Sequence, residues 1–155
     1  MKKSIFMLAG IALVSCSKNE EATQTTPQVS IVGKWQKQNA IVTSGKDGSK
    51  ISEKITSTCE RNGFVEFTTD KKVSSESYYT QIVNQVENCV KETSSTVSSY
   101  EYDTATKKLT VVRTTKTITL DVEKNSATEL VLSYTDSDKN SDGVLDKTVE
   151  YYIKK

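Results

Sequence analysis

TITLDVEKNSATELVLSY (Thr117–Tyr134) is the stretch that decides the fold. Its first six residues alternate strictly, with Ile118, Leu120 and Val122 on one side and Thr117, Thr119 and Asp121 on the other. Its last six repeat the pattern with Leu130, Leu132 and Tyr134. A period of two belongs to a strand with one buried and one wet face, and the β-branched and aromatic content agrees. Between the two runs lies KNSA (Lys124–Ala127), short and built of turn formers. The unit is an antiparallel hairpin.

The same grammar runs outward in both directions. KLTVV (Lys108–Val112) places Leu109 and Val111 together, and KTVEYYI (Lys147–Ile153) is read with Val149, Tyr151 and Ile153 inward. Turn chemistry recurs at Ser44–Lys50, Arg61–Gly63, Thr69–Lys72, Asp103–Lys108 and Asp136–Gly143. Strands are expected close to 31–42, 51–58, 64–69, 73–84, 96–103, 108–114, 116–123, 128–135 and 144–154. Past residue 30 no helical stripe competes with them. A meander of about eight strands must protect its edges, and an up-and-down β-barrel does so most completely. The expectation is therefore an all-β, antiparallel barrel, with a β-sandwich as the alternative.

Composition narrows the function. The net charge is +1, which gives no electrostatic reason for a nucleic-acid partner. The chain has no histidine, so Ser-His-Asp and Cys-His catalysis and imidazole zinc sites are excluded. No motif points to a carboxylate, Lys or Tyr mechanism, and the protein is read as a non-enzyme. Only 35% of residues are hydrophobic, enough for a narrow core.

The first segment is an address. MKKSIFMLAGIALVSC opens with Lys2 and Lys3 and continues with an apolar run too short to span a bilayer, as in a secretory signal peptide. Leu13-Val14-Ser15-Cys16 resembles the lipobox of bacterial lipoproteins, which implies lipidation of Cys16 and cleavage before it. Acyl chains contribute on the order of 0.8 kcal/mol per buried methylene, so several of them make a lasting membrane anchor. SKNEEATQTTPQVS (Ser17–Ser30) has no apolar period and reads as a tether. The division is residues 1–15 signal peptide, 16–28 flexible tether and 29–155 barrel domain. Ser17 after the cysteine favours the outer membrane, and Lys18 with Glu20 and Glu21 resembles a short acidic signal for the cell surface. The protein is expected there as a monomer.

Cys59 and Cys89 remain as an even pair in an oxidising compartment, where a disulfide is the default. A reactive thiol pair would want CxxC spacing, which is absent.

The sole tryptophan stands in IVGKWQ (Ile31–Gln36), where the tether gives way to patterned sequence. Gly33 and Trp35 resemble the GxW signature of lipocalins, in which the Trp packs across the closed end of the barrel. The stretch from Val29 to Lys155 resembles more specifically the lipocalin-like lipoproteins of Bacteroidetes. The landmarks are IVGKWQ, TCERNGFVEFTTD (Thr58–Asp70), VENCVKE (Val86–Glu92), YEYDTATKKLTV (Tyr100–Val111) and the final hairpin from Glu129. Two stretches depart from the pattern: Lys91–Tyr100 is polar and lacks a second Trp, and Ser75–Asn88 is long for one strand. The resemblance implies a small, partly apolar ligand inside the barrel, lined by Phe67, Tyr78, Tyr102, Tyr134 and Tyr151. Core filling by those same rings is the competing expectation, and it would make the protein a structural or interaction module.

One loop carries metal-like spacing. In DKNSDGVLD, Asp138, Asn140, Asp142 and Gly143 match the start of a calcium loop, with Val144 supplying a carbonyl and Asp146 nearby. The twelfth position is Val149 rather than Glu, so any calcium site would be weak and structural. No other cofactor is expected.

Overall fold

A computed structural model of the chain describes residues 30–93 and 96–155. The expected signal peptide (1–15), Cys16 and the expected tether (16–28) lie outside the described residues. Eleven strands are present: β1 (Gly33–Thr43), β2 (Lys50–Ile55), β3 (Phe64–Phe67), β4 (Lys72–Glu76), β5 (Tyr78–Val83), β6 (Val86–Lys91), β7 (Ser98–Asp103), β8 (Lys108–Val112), β9 (Thr117–Asn125), β10 (Glu129–Ser137) and β11 (Asp146–Lys154). The only helical element among the described residues is a 3-10 turn, Glu60–Asn62.

Eight of these strands close a barrel in the order β1-β3-β4-β7-β8-β9-β10-β11, and β11 returns to pair with β1. Every pairing is antiparallel. β1 changes partner along one edge: Gly33–Trp35 pair with β3, and Asn39–Thr43 with β2. The other edge stays with β11 throughout, interrupted by a bulge between Lys37 and Asn39. Closure removes the exposed edges that an open meander would leave.

The core sits at the end where the chain enters. Ile31, Trp35, Phe67, Tyr100, Leu109, Val122, Leu130 and Tyr152 form one buried cluster with Val73, Val111 and Leu132. Trp35 is fully buried, and its indole N–H donates to the Ile31 carbonyl at 2.8 Å. The Lys154 ammonium lies 4.2 Å from the Trp35 ring centroid, a cation–π contact from the last turn of the barrel. That ammonium also occupies the space a Cβ on residue 33 would need, and Gly33 has φ of +130°. The positive φ selects glycine there, since the flexible Lys154 tip could move aside for a Cβ. Trp35 thus sits within the core cluster where the first strand begins.

Three sequence expectations change. The strand read over 73–84 is two strands, broken at Ser77, and β5 leaves the wall to form a separate hairpin with β6. β6 lies outside the expected strands: Val86–Lys91 is largely polar and its turn, Asn84-Gln85, lacks glycine. Both turn residues nevertheless take positive φ, 52° and 64°, as a two-residue hairpin with primed geometry requires. In the third case β11 faces the other way: Asp146, Thr148, Glu150 and Tyr152 point inward, and Val149, Tyr151 and Ile153 point out. The outward set is not wasted, since Val149 lies opposite Ile41, and Tyr151 opposite Val131, on the half-buried outer surface.

The expected disulfide is formed. Cys59 and Cys89 lie 5.4 Å apart at Cα and tie β6 to the 3-10 turn. Ser57 and Glu60 exchange hydrogen bonds across the start of that turn, a capping box: Ser57 N–H donates to Glu60 Oε2 at 2.9 Å, and Glu60 N–H to Ser57 Oγ at 3.2 Å.

Candidate functional site

The barrel is not solid. Away from Trp35 it holds a cavity of about 610 Å³. Its walls come from β3, β4 and β7 to β11, because inward positions on those strands alternate with outward ones. Phe67, Val73, Val111, Leu120, Leu132 and Tyr152 make the apolar part, and Ser75 and Ser98 add hydroxyl groups. Arg113, Lys116 and Asp136 also line it. A second compartment of about 420 Å³ adjoins it beneath the β5–β6 hairpin, lined by Trp35, Lys37, Phe64, Tyr78, Glu76 and Glu92 among others. Val65, Ser75, Glu150 and Tyr152 belong to both.

Glu150 is the charged residue at that shared wall. Its side chain is 17% exposed. Lys37 pairs with Oε1, and the Tyr152 hydroxyl donates to Oε2 at 2.5 Å. The β1 bulge and the strand register make this possible, since Lys37 stands opposite Tyr152 and Ala40 opposite Glu150. Burial, followed by the nearby Glu150 charge, pushes the Tyr152 phenol well above its ordinary range. The phenol is therefore a donor, and the triad is a closed, neutral unit. Tyr134, at the wider end, is raised for the same leading reason, burial, with Glu150 and Asp136 adding to it.

Of the ring residues expected to line a site, Phe67 and Tyr134 face the main cavity and Tyr78 the second compartment. Tyr102 points inward but packs against the core cluster outside the cavity. Tyr151 is on the outer face, and its neighbour Tyr152 takes the inward position. Lys37, Glu150, Arg113 and Lys116 were not foreseen. The bulge on β1 and the inverted face of β11 put the first two inside, and neither leaves a mark in composition.

The Asp-rich loop folds on itself. Asp138 accepts N–H bonds from Asp142 (3.2 Å) and Gly143 (2.8 Å), and Asp142 accepts from Val144 (2.9 Å) and from Asn140 Nδ2 (2.8 Å). Asp146 is fully buried, with one oxygen taking the Gly45 N–H at 3.1 Å and the other the Lys139 N–H. These bonds hold the Asp142 carboxyl below its ordinary value, the Asn140 amide first among them. Among the described residues no three cysteine or carboxylate side chains gather as a metal cage. In this loop oxygens of Asp138, Asp142 and Asp146 accept backbone N–H bonds.

No protein-family model and no curated protein sequence matches the chain. Solved structures give distant likenesses. A dog lipocalin allergen aligns at 13% identity with a TM-score of 0.40, covering 81% of this chain and 74% of its own. A bovine odorant binding protein, a deswapped triple mutant, aligns at 15% identity and 0.37, covering 79% and 72%. Another odorant binding protein aligns at 8% and 0.36, covering 80% and 70%. The fold is a closed, eight-stranded, up-and-down antiparallel β-barrel. That statement stands on the strand order and the β11–β1 closure.

Proposed function

We propose that the protein is a non-catalytic binding protein of the cell envelope that carries a small, partly apolar molecule in its barrel. The observation that supports this most is the cavity of about 610 Å³, within the roughly 300–1,000 Å³ range of small-molecule sites. Its mixed lining of hydrocarbon and hydroxyl groups suits a ligand that is apolar along most of its length. A barrel filled by its own rings would have favoured the structural-module reading, and Tyr102 and Tyr100 do fill the opposite end.

The proposal includes a lipid anchor on Cys16, an outer-membrane address extending to the cell surface, and a monomeric state. The lipobox-like Leu13–Cys16 and the short apolar run before it support the anchor. Membrane attachment through a tether leaves the barrel free to exchange ligand with its surroundings. No cofactor belongs to this reading. The Asp138–Asp146 loop stabilises through its own hydrogen bonds, so melts in millimolar calcium and in chelator should coincide. A calcium-dependent rise of a few degrees, lost in Asp142→Ala, would instead support a weak calcium site there.

Native mass spectrometry of protein extracted gently from its own membranes tests the whole proposal. Diacylated Cys16 at the N-terminus and a co-purified small molecule are expected. An unmodified, soluble, ligand-free chain would contradict it.

A further inference from the structure

The charges around the main cavity are not evenly matched. Of its two acids, Glu150 is held by Lys37 and Tyr152, and Asp136 faces the Lys139 ammonium at 3.9 Å. Its two bases, Arg113 and Lys116, have no ion-pair partner among the described residues. Both sit on the four-residue turn from β8 to β9, which the Arg113 N–H closes on the Lys116 carbonyl at 3.0 Å. Both are exposed, and both line the cavity. Directly below them on the same two strands lie Val111, Ile118 and Leu120. From Lys116 to Leu120 the strand descends about 13 Å at 3.3 Å per residue. The cavity is thus an apolar well beneath a cationic lip.

We infer that the ligand is an anionic amphiphile, with its apolar part in the well and a carboxylate, sulfate or phosphate group at Arg113 and Lys116. This rests on the reading of the cavity as a ligand site and adds the charge of the ligand to it. The apolar part supplies most of the affinity, and the two cations supply selectivity and orientation. Guanidinium and ammonium groups both donate to anionic oxygens, and neither has an acid to satisfy first. An apolar ammonium compound would meet the lip as a like charge and be disfavoured.

The test is calorimetric titration of the intact protein with dodecanoate and dodecyltrimethylammonium below their micelle concentrations and dodecanol below its solubility limit, repeated with Arg113→Gln/Lys116→Gln. Two exposed charge contacts should change the carboxylate-over-alcohol affinity ratio about 2- to 30-fold between wild type and variant. The difference should shrink in concentrated salt. An affinity ratio that is the same in both proteins, or an ammonium compound bound as tightly as the carboxylate, overturns the inference and leaves the cavity reading intact. If none of the three probes binds the wild type, both readings fall.

Discussion

Replacing Cys59 and Cys89 by Ala should lower the stability of the whole barrel, although the bond joins two peripheral elements. The reason lies in what the crosslink encloses. Its partners are 30 residues apart, and the loop between them contains β3, β4 and β5. β3 and β4 are wall strands, so the bond restricts the unfolded chain through the barrel itself. The chain-entropy relation for a loop of about 30 residues gives ~3.6 kcal/mol at 25 °C. With an unfolding entropy near 2.1 cal/mol/K per residue, a domain of about 125 residues should lose roughly 14 °C in Tm. Calorimetric melts of the oxidised protein and the double variant give the difference, and a thiol assay on denatured, unreduced protein should find neither residue free. A drop of less than about 3 °C would refute the reasoning, because it would mean the hairpin opens independently of the wall.

Trp35→Ala should destabilise by about 3–5 kcal/mol in denaturant melts, since a fully buried indole, its hydrogen bond to Ile31 and its contact with Lys154 all go. Lys37→Met should cost roughly 1–3 kcal/mol by leaving the Glu150 carboxylate uncompensated, and Lys37→Met/Glu150→Gln should recover most of it, because the Gln carbonyl carries no charge and still accepts from the Tyr152 hydroxyl. Equal stability of the single and double variants would show that the pair does not act as a unit. Glu60 gives an acid-side signature: the Lys54 ammonium first, then the Ser57 N–H, hold its carboxyl down at about 2 from an ordinary 4.5. A depressed folded value contributes stability above pH 4.5, and that contribution is lost as pH falls towards 2. Glu60→Gln should flatten the stability profile in that window and leave the neutral-pH slope unchanged.

Much of the fold was legible because two signals are strong in this chain. Ile118, Leu120 and Val122 with Leu130 and Leu132 have no period but two, and the structure places all of them inside. Trp35 could be placed because a lone Trp beside a glycine needing positive φ makes a recognisable element. The face of β11 was not legible. Thr148-Val149-Glu150-Tyr151-Tyr152-Ile153 offers an apolar set on either side of the strand, and pattern alone prefers Val149, Tyr151 and Ile153. What decides is the register against Lys37 and Leu130, together with a cavity that lets Glu150 face inward without burial in hydrocarbon. The β5–β6 hairpin escaped notice because Asn84-Gln85 adopts a conformation that Gly would have advertised. The cationic lip was equally hidden. Arg113 and Lys116 look like ordinary turn residues until closure of the ring brings that turn to the mouth of a cavity.

The most direct test of the central claim, a barrel whose interior takes a small amphipathic molecule, is titration of dodecanoate into the wild type and into Leu120→Trp. Leu120 is half-buried at the wall of the main cavity, and an indole there would fill the well from within. The wild type should bind one molecule per chain. The variant should keep its Tm within a few degrees and lose binding by at least about tenfold. Undiminished binding in a folded variant would place the ligand outside the barrel and contradict the account.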